Sequence, residues 1–142
     1  MSNHFLFSEG EWTGKGKIFF SLTPDEVPFQ IHWDVVPIDL ERFRAVQRVE
    51  MVDQETMINV FTITRQPSGE FQLFLENEVL GVFSGDGVSD ERKLAWEFAH
   101  YGILEGVEVY EKKDDQQYNF HAEYLGNDGL ATTVEGTISS AS

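Results

Sequence analysis

The chain has 142 residues, 10 Lys and Arg against 25 Asp and Glu, and a formal net charge of −15. That excess of negative charge repels phosphate backbones and anionic lipid heads, so it argues against nucleic-acid and peripheral-membrane partners. The absence of cysteine removes disulfides, thiolate catalysis and cysteine-ligated metals from consideration.

The hydrophobic share of 41% and the 12 phenylalanines belong to a folded chain with a large apolar interior. One domain over residues 1–142 is the simplest division of this length. The start, MSNHFLFSEG, has no basic leader followed by a long apolar core. No apolar run approaches the ~20 residues of a membrane helix. The expected setting is cytoplasmic.

Alternation with period two dominates the chain, which is the strand signature. In Gly10–Leu22 the even positions Trp12, Gly14, Gly16, Ile18, Phe20 and Leu22 form an apolar, glycine-notched face. The odd positions are mostly polar. Thr23–Pro28 reads as a turn-rich connection. In Phe29–Val36, Phe29, Ile31, Trp33 and Val35 oppose Gln30, His32, Asp34 and Val36. Pro37–Phe43 is ambiguous and allows a turn of helix. Arg42–Met51 sets Phe43, Ala45, Gln47, Val49 and Met51 against a face holding Arg42, Arg44 and Arg48; that arginine strip is expected to face solvent.

Thr56–Thr64 is β-branched and apolar. Glu70–Asn77 places Phe71, Leu73 and Leu75 on one side, and a strand over Glu78–Gly85 follows. Gly85–Arg92, GDGVSDER, reads as a hydrophilic loop without the spaced oxygen ligands of a calcium site. Lys93–Ala99 aligns Leu94, Trp96 and Phe98 on one face, with Glu97 opposite. In Gly102–Lys113 the glutamates Glu105, Glu108 and Glu111 fall on both faces; parity does not say which carboxylate is inside. Tyr118–Leu125 sets Tyr118, Phe120, Ala122 and Tyr124 against Asn119, His121 and Glu123. Gly126–Gly129, GNDG, is a hairpin signal, and Leu130–Ile138 is the last strand.

About ten strands joined by short loops make an antiparallel meander. Closure into a barrel disposes of its edges and leaves room for one small ligand. A sandwich is the alternative architecture. Glycines at 14, 16, 81, 106 and 136 fit bends or close approaches between strands.

The opening Gly10-Glu11-Trp12-Thr13-Gly14-Lys15-Gly16 resembles the Gly-X-Trp strand that begins calycin barrels: lipocalins, fatty-acid-binding proteins and nitrobindin-like proteins. The Gly-X-Trp-X-Gly-X-Gly form is most similar to the last of these. The resemblance implies a barrel over the whole chain with Trp12 packed at its closed end. Three departures matter. The chain has no cysteine for the disulfides common in lipocalins, and their secretory leader is not expected. Only Thr23–Pro28 stands where fatty-acid-binding proteins insert two helices. Lys17–Leu22 replaces the Tyr-Pro-Thr element of nitrobindin-like proteins, whose haem is held by a late histidine; here His121 has outward parity.

Site chemistry is sparse. His4, His32, His100 and His121 form no close ligand pair, so no metal and no cofactor is expected. Each histidine reads as a surface or loop residue, His32 being the most arguable exception. No phosphate loop or serine-nucleophile motif occurs. The aromatics Trp12, Phe20, Trp33, Trp96, Phe98, Tyr110, Tyr118, Phe120 and Tyr124 are the candidate ligand-binding residues. The expected function is binding a small hydrophobic or amphipathic molecule, as a monomer or homodimer. The alternatives are metal-free catalysis on such a molecule, or a filled barrel with a structural or dimerising role.

Overall fold

The computed structural model describes residues 4–100, 104–126 and 129–141. Ten strands run in order: β1 (Gly10–Phe20), β2 (Glu26–Pro37), β3 (Arg42–Met51), β4 (Met57–Arg65), β5 (Glu70–Asn77), β6 (Gly81–Ser89), β7 (Lys93–His100), β8 (Leu104–Asp114), β9 (Gln117–Gly126) and β10 (Ala131–Ser140). Each pairs antiparallel with its neighbour in sequence, and β1 closes on β10 from Trp12↔Ser140 to Phe20↔Thr132. The chain is therefore an all-β closed meander barrel. Every strand has two partners, so no edge is left unpaired. Among the described residues no helix is long and apolar enough to cross a membrane.

The inward set follows the alternation: Phe29, Ile31, Trp33 and Val35 on β2, Phe71, Leu73 and Leu75 on β5, and Leu94, Trp96 and Phe98 on β7 are buried. Arg42, Arg44 and Arg48 are exposed, as is His121. β8 resolves its ambiguity in favour of the even positions: Gly106, Glu108 and Tyr110 are buried, while Glu105 and Glu111 are exposed.

Three loop readings change. Gly85–Ser89 is strand rather than loop: Gly85 lies against the β7 backbone at Glu97, and Gly87 is where an inward ring meets the wall. A Cβ at Gly87 would collide with the Phe71 ring, so only glycine lets that ring lie flat against β6. Pro37–Phe43 forms no helix: the Asp39 carboxylate accepts from the Glu41 and Arg42 amides at 3.0 and 2.9 Å, folding a turn that leads straight into β3. β2 begins at Glu26, inside the connection read as Thr23–Pro28, and β6 begins only at Gly81, whose φ of +95° completes the turn after β5. Asn127 and Asp128 of the GNDG hairpin, and the side chain of His100, lie outside the described residues.

A short 3₁₀ turn, Phe5–Phe7, precedes β1 and stoppers one end of the barrel. Phe5, Leu6 and Phe7 are all buried. Phe5 packs within 5.1–5.8 Å of Trp12, Trp33, Tyr110 and Tyr118, measured between ring centroids. Phe7 meets Phe43 and Phe71, and the Arg65 guanidinium caps its ring at 4.7 Å.

Candidate functional site

Alternating strands aim their inward residues at the axis, and the stopper fills one half of the interior. The half it fills is aromatic: Trp33 lies 5.2 Å from both Phe5 and Phe61 and 6.5 Å from Trp96, between ring centroids. Above this layer a cavity of about 360 Å³ opens at the opposite end of the barrel. That volume suits a small ligand.

The candidate aromatics divide between the two halves. Phe20, Phe98, Tyr110, Phe120 and Tyr124 line the cavity. Trp12, Trp33, Trp96 and Tyr118 belong to the packed layer and touch the stopper or the cavity floor instead. One stack links the two regions. Trp96, Tyr110 and Phe120 lie 5.1 Å apart in succession at interplanar angles of 15° and 21°. Cross-strand neighbours on β7, β8 and β9 bring these rings together. The exposed side chains of Phe20, Met57 and Leu80 surround the mouth.

Two polar features interrupt this apolar lining: a carboxyl that parity left open among Glu105, Glu108 and Glu111, and an amide ladder that sequence reasoning missed. Glu108 on β8, 5% exposed, points inward. Its carboxylate accepts from the Trp96 indole N–H at 3.2 Å and from the Tyr124 hydroxyl. Burial pushes its pKa up to about 7, against the opposing pull of those two donors. The same burial, together with the Glu108 charge, holds the Tyr110 and Tyr124 hydroxyls protonated well above their usual range. The Trp33 N–H and Tyr110 hydroxyl are neighbours deeper in, without a hydrogen bond of full geometry.

The second feature is an amide ladder on β3, β4 and β5, where Gln47 pairs with Asn59 and Asn59 with Asn77 in register. The Val79 and Leu80 amides donate to Asn77 Oδ1 at 2.8 and 2.9 Å. That fixes the orientation of Asn77, so its Nδ2 donates to Asn59 Oδ1 at 2.7 Å. Asn59 Nδ2 in turn donates to Gln47 Oε1 at 2.7 Å. The ladder therefore ends on the Gln47 NH₂, which has no acceptor among the described residues and lies on the cavity wall. Asn77 was legible as a turn residue; its inward role was not.

His4, read from sequence as a surface or loop residue, is instead buried in the stopper. Its Nε2–H donates to the Asp90 carbonyl, which can only accept, so Nδ1 accepts from the Tyr118 hydroxyl at 2.8 Å. Tyr118 Oη accepts in turn from the Phe5 amide at 3.2 Å. Burial lowers the His4 pKa. Tyr118→Phe leaves the Phe5 N–H and His4 Nδ1 without partners, and is expected to cost about 1–3 kcal/mol in denaturant unfolding. His32, the most arguable histidine from sequence, sits on the outer face 3.2 Å from Glu11.

No family model and no curated protein matches the sequence. Among solved structures the fold is similar to the S-type phycobiliprotein lyase CPES from Guillardia theta, at 11% identity and a TM-score of 0.71 over 95% of this chain and 89% of the lyase. It is also similar to the protein EF1p2_mFAP2b bound to DFHBI, at 14% identity and a TM-score of 0.53 over 92% and 91% of the two chains. These likenesses are of fold alone.

Proposed function

We propose that this protein binds a small, largely apolar molecule inside its barrel, as the lipocalin-like relatives suggested by Gly10–Gly16 would. The observation that carries the reading is the cavity itself, closed at one end by the Phe5–Phe7 stopper and open at the other. A packed barrel would need no such stopper at one end and a void at the other. The Tyr110–Phe120 stack offers a flat apolar wall, and Gln47 and Glu108 supply the few polar groups that orient a ligand. Another barrel of this fold, EF1p2_mFAP2b, holds the small molecule DFHBI.

Ala122 tests the proposal because it is buried on the cavity wall between Glu108 and Val134 in register. Ala122→Phe places a ring in the space a ligand would use. The neutral dye N-phenyl-1-naphthylamine should brighten in the wild type. It should lose at least tenfold in affinity in the variant, whose far-UV circular dichroism is unchanged. Equal binding to both chains would place the dye elsewhere and remove the support for an interior site.

A further inference from the structure

The ligand's chemical class follows from what the cavity wall lacks. Among the described residues that line it there is no lysine, arginine or histidine, while Glu108 is a lone carboxyl. Glu108 is not consumed by an internal ion pair: its partners are the neutral Trp96 N–H and Tyr124 O–H. The other titratable group near it is Tyr110, which is also neutral. A buried carboxylate with two donors and no counter-charge leaves oxygen lone pairs for a third donor. It gains most if that donor is a cation. A carboxylate-bearing ligand, in contrast, would bring a second negative charge into the same low-dielectric space. The protein's −15 charge adds a field that attracts cations to the mouth and repels anions.

Resting on the interior-site reading above, we propose that the cavity selects an apolar molecule carrying a basic nitrogen, and that Glu108 is the residue that recognises this group. The aromatic stack holds the apolar body. Glu108, on β8, accepts the N–H⁺. Gln47 lies on β3, five strands away in either direction around the ring of ten. Its NH₂ therefore offers a donor on the far wall for an acceptor atom at the ligand's other end. The selectivity is the reverse of a site built for fatty acids, where a cationic side chain would have to meet the head group.

The experiment is displacement of N-phenyl-1-naphthylamine at pH 7.5 by three chains of equal length: decylamine, decanol and decanoate. Decylamine is expected to displace the dye at a concentration at least tenfold below decanol, and decanoate to be the weakest. Glu108→Gln keeps the size of the side chain and should abolish the preference for decylamine over decanol, both measured on the same variant. Decanoate binding as well as decylamine, or a decylamine preference that survives Glu108→Gln, overturns the inference and leaves the interior site standing. Failure of the dye itself to bind the wild type overturns both.

Discussion

Phe5→Ala is expected to destabilise the protein by about 3–5 kcal/mol, the usual range for deleting a fully buried aromatic ring. Phe5 is 1% exposed, and its ring is the hub of the stopper, touching Trp12, Trp33, Tyr110 and Tyr118. Its backbone N–H also depends on staying seated, because it donates to the buried Tyr118 hydroxyl. Removing the ring opens a cavity among four aromatics that are anchored on β1, β2, β8 and β9 and cannot close over it. With a urea slope of about 1–3 kcal/mol per molar for a chain of this size, the unfolding midpoint should fall by a molar or more. Phe20→Ala provides the contrast. Phe20 is 42% exposed at the open mouth, so its loss should cost under about 1 kcal/mol. Similar midpoints for the two variants would show that Phe5–Phe7 is a dispensable tail rather than the closed end of the barrel.

The stopper also shows where sequence reading stops. Alternation carried the barrel well: the inward faces of β2, β5, β7 and β9 were legible because Phe, Leu and Trp fall on one parity and charge on the other. Val107 and Val109 make β8 look apolar on the wrong side. The β7 and β9 registers nonetheless send Glu108 and Tyr110 inward and leave Val107 44% exposed. Pattern within a single strand cannot see that constraint, because it arises from the neighbours. Gly87 was visible as glycine, but the ring it accommodates comes from Phe71, sixteen residues earlier in the chain. Phe5, Leu6 and Phe7 are too few to show a period, and nothing local to His4 announces Tyr118 or Asp90 as its partners. The aromatic site set rests on inward parity alone. Parity says which residues face the axis, not how far along it they lie. For that reason Trp12, Trp33, Trp96 and Tyr118 fall in the packed half while Phe20, Phe98, Tyr110, Phe120 and Tyr124 surround the cavity.

Glu108 should make this protein less stable as the pH rises from about 4.5 towards neutrality. Its carboxyl ionises near 4.5 in a solvated chain and near 7 in the folded barrel. Between those values the folded state keeps a proton that the unfolded state releases, so stability falls with pH across that window and levels off above it. The full difference is on the order of 3 kcal/mol. Glu108→Gln abolishes this term while leaving the other acidic residues, and the general repulsion of a chain with net charge −15, common to both proteins. The stability difference between variant and wild type, from urea midpoints at pH 5 and pH 8, should therefore grow in the variant's favour. His4 acts with the opposite sign: its lowered pKa means that stability rises with pH until the unfolded histidine is neutral near 6.5. That contribution remains in Glu108→Gln, where it adds a rise in stability as the pH approaches 6.5. A pH-independent difference between the two proteins would mean that Glu108 is solvated, and would remove the physical basis for its recognising a cation. The same linkage sharpens the ligand argument. A bound ammonium favours the ionised carboxyl, so saturating decylamine should erase most of the wild type's loss between about pH 4.5 and 7, whereas decanol, which carries no charge, should leave the slope in place.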